Sequence, residues 1–226
     1  MRVAEIYNSV QGEGRLSGTR SVFVRASGCN LRCWFCDTPY TSWTPEGRDM
    51  SVDAIVAQIV EWDTDHIVVT GGEPMLQAEI IPLCDQVRRL GRHITVETAG
   101  TLYLPVACDL MSISPKLSNS TPERDDPWSR RHDRTRHQPD VMRRLMNEYD
   151  YQLKFVVDRP EDCDEIHSYL VQFPDARTDC ILLMPQGVDA ATLQRTSTWL
   201  EPYCQRHNWQ FCPRQQIEWF GLVRGT

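Results

Sequence analysis

The 226-residue sequence has no long apolar run and no excess of positive charge. No stretch approaches the roughly 20 apolar residues that a membrane-spanning helix needs. The first residues, Met1-Arg-Val-Ala-Glu-Ile, contain neither a signal-peptide core nor a myristoylation pattern. With 24 basic and 31 acidic side chains the net charge is −7, which argues against nucleic acid and acidic membranes as partners. We therefore expect a cytoplasmic protein that binds neither.

Internal repeats and low-complexity tracts are also absent, and the composition is that of an ordinary globular protein. Runs of β-branched and aromatic residues predict strands at 4–7, 21–25, 66–70, 93–98, 109–114, 151–157, 180–184 and 209–212. Apolar residues at helical spacing predict helices at 51–62, 80–90, 141–149, 160–173 and 190–207.

This alternation is typical of an α/β fold built from parallel β-α units, in one domain over 1–226. Because the length falls near the low end for a closed eightfold barrel, we expect a partial, incomplete TIM-like barrel. The segment 117–140 is rich in Pro, Arg and Asp and predicts an irregular surface excursion, and 39–48 has no helical pattern. Ligands should bind where the strands end, in the loops 28–38, 71–74, 98–101, 114–116 and 185–187.

Nine cysteines form an odd set in a chain without secretory features, so a disulfide framework is not expected. Six of them lie among apolar neighbours and suit buried positions, whereas Cys29, Cys33 and Cys36 fall within eight residues. Thiolates favour Fe–S clusters, zinc and Cu(I). A structural zinc site needs four ligands and no second cysteine pair is visible, although a distant residue could complete it. Three cysteines on a four-iron cluster leave one iron open to a small molecule.

The C-x3-C-x2-C spacing, with an aromatic residue before the last cysteine, resembles the radical S-adenosylmethionine (radical SAM) enzymes. Thr70-Gly-Gly-Glu-Pro74, which follows a predicted buried strand, resembles the glycine-rich motif of the same superfamily. The resemblance implies a 4Fe–4S cluster on the three cysteines that binds S-adenosyl-L-methionine. One electron then cleaves this cofactor into methionine and a radical that abstracts hydrogen from the substrate. Cofactor contacts are implied at Phe35, Cys36, Asp37, Gly72 and Glu73.

Further motifs resemble the 7-carboxy-7-deazaguanine synthase family over nearly the whole chain. They are Val10-Gln-Gly-Glu-Gly14, Phe23-Val-Arg25, Cys36-Asp-Thr38, Glu97-Thr-Ala-Gly-Thr101, Ser114-Pro-Lys116 and Leu153-Lys-Phe-Val-Val157. The resemblance implies a lyase that converts 6-carboxy-5,6,7,8-tetrahydropterin into 7-carboxy-7-deazaguanine with loss of ammonia, on the route to queuosine and archaeosine. It further implies cofactor contacts at Ser114, Pro115, Lys116, Met184, Pro185, Gln186 and Gly187, substrate contacts at Val10 and Thr70, and Mg²⁺ on Thr38.

The chemistry of a pterin suits the remaining residues of these motifs. Gln11 and Glu13 can accept and donate hydrogen bonds at the pyrimidine-like edge, and Gly12 would let the backbone approach the flat ring. Arg25, near a strand end, can bind the substrate carboxylate through two N–H groups. Lys154 is open to two interpretations, a cofactor contact or a buried ion-pair partner. Mg²⁺ takes oxygen ligands, so substrate oxygens would complete a site on Thr38.

Two alternatives stay open at this stage. A glycyl-radical-enzyme activating enzyme would share the cysteine spacing and the glycine-rich motif, but its protein substrate has little use for Gln11 and Glu13. A zinc-stabilised binding module would use the cysteines without any redox chemistry. For the enzyme we expect a flavodoxin or ferredoxin as electron donor and, by resemblance, a homodimer.

Overall fold

The computed structural model describes all 226 residues and contains one nine-stranded sheet. The strands are β1 (Arg2–Val10), β2 (Arg20–Ala26), β3 (Arg48–Asp49), β4 (His66–Gly71), β5 (His93–Thr98), β6 (Leu110–Ile113), β7 (Tyr151–Val157), β8 (Ile181–Pro185) and β9 (Gln210–Phe211). They are ordered β3-β1-β2-β4-β5-β6-β7-β8-β9. All neighbours from β2 to β9 are parallel, whereas β1 runs antiparallel to β2 and β3. Because β3 and β9 are not paired with each other, the sheet stays open, which confirms the predicted α/β fold with an incomplete TIM-like barrel.

Eight α-helices accompany the sheet. They are α1 (Pro39–Ser42), α2 (Val52–Ile59), α3 (Ile80–Arg89), α4 (Ser129–Thr135), α5 (Pro139–Glu148), α6 (Pro160–Leu170), α7 (Ala190–His207) and α8 (Gln215–Phe220). Local chemistry sets several ends: the Ser51 hydroxyl accepts from the Ala54 amide at the start of α2, and Asp189 accepts from Thr192 at the start of α7. None of the helices combines the length and the hydrophobicity that a bilayer span requires.

The main core lies between the parallel strands and the helices that cover them. It is one cluster of 35 buried residues. Ile67, Val68 and Val69 of β4 are almost completely buried although successive side chains of a strand point to opposite faces. Both faces of the strand are therefore covered, as expected for a parallel sheet flanked by helices. This arrangement leaves the carboxyl ends of the strands as the place where polar loops meet.

Two segments differ from, or add to, the sequence-based expectations. The prediction that 39–48 is not helical is wrong at its start, because α1 forms one turn there with Pro39 at its first position, where a missing N–H costs nothing. The segment 117–140 contains a 3₁₀ turn (Ser118–Ser120) and α4. His132 of α4 is fully buried against the cysteine loop, so this segment covers one side of that loop.

Candidate active site

A cavity of about 330 Å³ lies at the carboxyl ends of the parallel strands. Most of the residues singled out in the sequence line it: Val10, Gln11, Gly12, Glu13, Arg25, Cys29, Cys33, Phe35, Cys36, Asp37, Thr38, Thr70, Gly72, Ser114, Lys116, Met184 and Gln186. Pro115, Pro185, Gly187 and Glu73 are buried behind its wall. The loops therefore converge as the rule for parallel sheets requires.

The cysteine loop forms one end of the cavity. Cys33 is 9% exposed, Cys29 and Cys36 are partly buried, and Leu31 and Ala99 pack with them in a small apolar cluster separate from the main core. The Arg32 guanidinium donates to the carbonyls of Cys29 (2.8 Å) and Leu31 (2.7 Å), and the indole of Trp43 donates to the carbonyl of Cys33 (3.0 Å). Side chains thus hold the backbone of the loop in place.

The three thiols fit an Fe–S cluster better than a single metal ion. All nine cysteines are free, and nowhere in the chain do three His, Cys, Asp or Glu side chains converge as ligands of one ion. A cubane needs one thiolate per iron, so its ligands stand further apart than those of zinc. Burial raises the pKa of Cys29 to about 12 and that of Cys33 to about 11. Bound iron would supply the positive charge that removes these protons.

The glycine-rich turn is shaped by contact with the cysteine loop. Gly71 has φ +138°, which favours glycine, and a Cβ on Gly72 would lie within 3.0 Å of the Gly28 carbonyl. The Glu73 carboxylate points into the protein, where it accepts from Thr98 Oγ1 (2.9 Å) and the amide of Ala99 (2.8 Å). Burial raises the pKa of Glu73. Only backbone groups of this turn are therefore available to a cofactor, and the Glu73 side chain is a structural element.

The middle of the cavity is lined by a buried chain of charges. Glu13 accepts from Lys154 Nζ (2.5 Å), from Arg214 Nε (3.3 Å) and from the Gln216 amide. Arg214 also binds Asp37, and Lys154 lies 3.5 Å from Glu97. Burial alone would raise the pKa of Glu13, but the cations of Lys154 and Arg214 outweigh it and lower the pKa to about 2. Glu13 is therefore an ionised acceptor at any physiological pH.

The end of the cavity nearest β1 is built around Arg25. Its Nε donates to Glu5 (2.7 Å) and its Nη2 to the Tyr7 hydroxyl (2.6 Å), while its side chain is 15% exposed. Glu5 also accepts from Tyr40 (2.7 Å) and from Arg224 (3.2 Å), so one carboxylate holds three donors. Burial opposes ionisation of Arg25, yet the neighbouring oxygens keep its pKa above the ordinary value. Arg25 is a permanent cation at the cavity wall.

Several of these residues were not assigned to the site from the sequence. Glu97, near the end of β5, and Lys154, in the middle of β7, lie inside quoted motifs, and Lys154 is a buried ion-pair partner of both Glu13 and Glu97. Arg214 and Gln216 reach the site only because α8 packs against Gly12: a Cβ there would lie within 3.0 Å of the Gln216 backbone. The close approach expected between Gly12 and a flat ring is thus made by α8. The chain contains only two lysines, Lys116 and Lys154, and both line this cavity.

Comparison of the sequence and the fold with known proteins identifies the superfamily to which the chain belongs. The model of the radical SAM superfamily matches residues 23–142, which include the cysteine loop, the glycine-rich turn and α4. The fold resembles the crystal structure of QueE from Escherichia coli (TM-score 0.71, 23% identity, 94% of this chain and 92% of that one). It also resembles SuiB from Streptococcus suis bound to S-adenosylmethionine (TM-score 0.56, 16% identity, 82% and 48%). The chain belongs to the radical SAM superfamily.

Curated relatives narrow the assignment further. The 7-carboxy-7-deazaguanine synthase of Rhodopirellula baltica is 44% identical over 99% of this chain and 88% of its own length. That of Halobacterium salinarum is 43% identical over 95% and 88%. Within the superfamily the chain therefore belongs to the 7-carboxy-7-deazaguanine synthases, radical SAM enzymes of 7-deazapurine biosynthesis that use a 4Fe–4S cluster and S-adenosylmethionine. The relatives give no support to a glycyl-radical activating enzyme or a zinc-stabilised module.

Proposed function

We propose that the chain converts 6-carboxy-5,6,7,8-tetrahydropterin into 7-carboxy-7-deazaguanine with loss of ammonia. The observation that carries this proposal is that two chemically different sets of residues line opposite walls of the same cavity. One wall holds the three cysteine thiols, and the other holds Gln11, Glu13 and Arg25 among buried charges. A ligand that reacts with a cluster-bound cofactor and carries both a guanidine-type edge and a carboxylate suits such a cavity.

On the cysteine wall, Cys29, Cys33 and Cys36 would hold the cluster, which with S-adenosylmethionine supplies the electron and the hydrogen-abstracting radical. The chain's own part is to bind and orient the cofactor. The Lys116 ammonium donates to Ser114 Oγ (2.6 Å), so the two side chains form one polar ledge. Met184 and Gln186 line the cavity at the end of β8. We assign cofactor contacts to this ledge, to Phe35, and to the backbone around Gly72.

On the opposite wall, the fixed charges suit recognition of the pterin. Glu13 stays ionised, so it accepts hydrogen bonds from the N–H groups of the pyrimidine-like edge while Lys154 holds it in position. Gln11 donates to Ser21 Oγ (2.9 Å) and keeps its carbonyl oxygen for the ligand. Arg25 has five N–H donors, of which Glu5 and Tyr7 take two, so donors remain for the substrate carboxylate. Val10 and Thr70 complete this wall.

Mg²⁺ belongs to the same proposal. Thr38 lines the cavity beside Asp37 and the cluster ligand Cys36, and its hydroxyl is an oxygen donor of the kind that Mg²⁺ prefers. No three His, Cys, Asp or Glu side chains converge on one point there. Substrate oxygens and water would therefore supply the remaining ligands, and we expect Mg²⁺ to bind tightly only when substrate is present.

The assay that tests the reaction is anaerobic turnover of reconstituted enzyme with S-adenosylmethionine, carboxytetrahydropterin and Mg²⁺. We expect a product with the ultraviolet spectrum of a 7-deazapurine carboxylate. Arg25→Ala should weaken pterin binding far more than S-adenosylmethionine binding, measured by separate titrations. Equal losses for the two ligands would remove Arg25 from the substrate wall, and absence of product from a fully loaded enzyme would overturn the reaction.

The two lysines give a readout that does not depend on turnover. An amine-reactive acylating reagent should modify Lys116, and S-adenosylmethionine should protect it, as followed by mass spectrometry of the digested protein. Lys154, only 6% exposed and ion-paired, should react slowly in either state. Modification of Lys116 at the same rate with and without cofactor would contradict the assignment of the ledge. We further propose a cytoplasmic homodimer that receives its electrons from a flavodoxin or ferredoxin and has no nucleic-acid or membrane partner.

A further inference from the structure

One guanidinium connects three loops that line the cavity. Arg214, which is 7% exposed, donates from Nε to the Glu13 carboxylate (3.3 Å). Its Nη1 donates to the Gly187 carbonyl (2.6 Å), and its Nη2 donates to the Asp37 carboxylate (2.5 Å). Glu13 belongs to the proposed pterin wall, whereas Gly187 and Asp37 belong to the loops proposed to bind the cofactor. Arg214 therefore joins the two walls directly.

The backbone that carries Arg214 is held on both sides of this residue. Two positions earlier, the Cys212 amide donates to the Leu183 carbonyl of β8 (2.9 Å). One position later, at the start of α8, the Gln215 amide donates to the Gly12 carbonyl (3.0 Å). The fold thus aims the guanidinium at its three acceptors, and its position does not depend on a mobile segment.

The shape of the guanidinium makes the three contacts depend on one another. Its five N–H donors lie in one plane at fixed angles, so it can hold several acceptors in a single arrangement. The ammonium of a lysine is a point charge on a flexible stem and cannot do so. Glu13 is also held by Lys154, but Asp37 is 43% exposed and has Arg214 as its only ion-pair partner. The position of Asp37 is therefore set by Arg214.

Asp37 lies between two residues of the cysteine loop to which ligands are assigned. It directly follows the cluster ligand Cys36 and directly precedes Thr38, the residue proposed for Mg²⁺. Cys36 Sγ and Thr38 Oγ1 are 3.8 Å apart, so the three residues form one compact segment. A shift of Asp37 would therefore move the neighbouring ligands with it.

We propose that Arg214 is a positioning residue that couples binding of the pterin to binding of S-adenosylmethionine. The inference rests on the proposed function, which places these two ligands on the walls that Arg214 connects. A pterin bound to Glu13 fixes this carboxylate and, through the guanidinium, also orders the loops of Asp37 and Gly187. The cofactor then binds to loops that are already ordered, so less conformational entropy is lost. Arg214 acts through its acceptors and needs no contact with either ligand.

Coupling of this kind is reciprocal, because each ligand must change the affinity of the other by the same factor. Measured couplings between sites usually amount to about 5-fold to 150-fold in affinity. A link through one side chain should lie near the lower end, at about tenfold. The cofactor is then held most firmly when a substrate is present to receive the radical.

The test measures the dissociation constant of each ligand with and without the other. Anaerobic holoenzyme is used with its cluster oxidised, so that both ligands bind without reacting. Arg214→Gln removes the charge and the planar fork, whereas Arg214→Lys keeps the charge and permits the measurement even if Arg214→Gln does not fold. Arg15→Gln is the matched control, because Arg15 is ion-paired with Asp150 (2.6 Å) and does not line the cavity. Amide exchange of the loop 185–187 provides a second readout.

We expect the unsubstituted enzyme and Arg15→Gln to bind the pterin about tenfold more tightly with S-adenosylmethionine than without it. In both Arg214 variants this ratio should fall to about one, and the pterin should no longer slow amide exchange around Gly187. A tenfold ratio in either Arg214 variant, or a ratio of one in the unsubstituted enzyme, would overturn the coupling. Failure of the proposed function appears separately, as an unsubstituted holoenzyme that binds S-adenosylmethionine but not the pterin.

Discussion

At the scale of single residues, the site depends on a few buried charges that satisfy one another. Glu13 is the centre of this set, because it binds both Lys154, which is 6% exposed, and Arg214, which is 7% exposed. Removing one partner of a buried ion pair leaves an uncompensated charge, which costs far more than the intact pair contributes. The ion pairs that hold Glu13 at the cavity wall thus make the local fold sensitive to the loss of its charge.

We predict that Glu13→Gln lowers the free energy of unfolding by about 3 kcal/mol. Glu97→Gln is the matched control: Glu97 is 33% exposed, lies 3.5 Å from Lys154, and its removal leaves Lys154 paired with Glu13. We expect the control to lose less than about 1 kcal/mol. Urea unfolding of both variants measures the difference. Similar losses of unfolding free energy in the two variants would show that Glu13 is not the carboxylate that compensates the buried cations.

His132 gives a second residue-scale prediction. Burial and the nearby Arg136 lower its pKa to about 4, well below its ordinary value of 6.5. The unfolded chain therefore binds a proton at this residue more readily than the folded chain. The contribution of neutral His132 to the free energy of unfolding is complete above about pH 6.5 and is lost as the pH falls toward 4. His132→Gln removes this titration. Melting temperatures of the anaerobic protein from about pH 7.5 to pH 5 should fall more steeply for the unsubstituted chain, and parallel profiles would contradict the prediction.

The residues that the sequence could identify are those whose role is carried by a compact motif. Cys29, Cys33 and Cys36 belong together because of their spacing alone. Arg214 could not be found in that way, because its partners Glu13 and Asp37 lie 201 and 177 positions away in the chain. Only the packing of α8 on Gly12 brings them together, and no local pattern encodes that contact.

At the scale of elements, the C-terminal segment acts as a wall of the cavity. Residues 221–226 follow α8 and line the cavity, and Arg224 fastens them by binding Glu5 (3.2 Å) and Glu46 (2.9 Å) while stacking on Tyr40 at 4.0 Å. Glu5 is the carboxylate that also holds Arg25. The segment and the substrate wall therefore share one anchor.

We predict that Arg224→Ala raises the KM for the pterin about fivefold, which corresponds to about 1 kcal/mol for a partly exposed ion pair. Affinity for S-adenosylmethionine should not change, because the proposed cofactor contacts lie at the cysteine end of the cavity. Arg195→Ala, an exposed arginine of α7, should alter neither quantity. Steady-state kinetics and a cofactor titration measure the two effects. An unchanged KM for the pterin, or an equal loss of both affinities, would show that the segment does not border the substrate.

Elements with a strong internal pattern could be predicted, and those held by distant contacts could not. The helix predicted at 190–207 matches α7 because apolar residues repeat along it. In contrast, α4 has the sequence SRRHDRT, which carries no apolar face. It is stable where it is because buried His132 ties it to Arg32. The two-residue strand β3 likewise exists only as a partner of β1 and was not predicted, whereas β9 falls within the strand predicted at 209–212.

At the scale of the whole molecule, the order of the parallel strands follows from the alternation of strands and helices. The positions of the antiparallel strands do not follow from it, because β1 is placed by pairing with β2 and β3 by pairing with β1. The open sheet is the larger consequence, because it leaves the cavity to be closed by loops, by α8 and by the C-terminal segment. The walls of the cavity are thus formed largely by segments outside the regular β-α pattern.

The main core and the cluster site are physically separate, and this separation leads to the last prediction. The core of 35 buried residues includes none of Cys29, Cys33 and Cys36. These three cysteines pack instead with Leu31 and Ala99 in a small cluster of their own. In a zinc finger the metal supplies the folding energy, but here the large core supplies it without metal. Loss of the cluster should therefore leave the fold intact.

We predict that Cys33→Ala abolishes iron binding but keeps the far-UV circular dichroism spectrum and one cooperative unfolding transition. Amide exchange should quicken only in the loop 28–38. Cys84→Ala, at a completely buried position of the main core, is the matched control. It should keep its iron and lose about 1 kcal/mol of stability, as small deletions from a packed core do. Cys33→Ala and Cys84→Ala remove the same thiol from two different surroundings, the cluster site and the main core. Global loss of structure in Cys33→Ala would show instead that the metal holds the fold together.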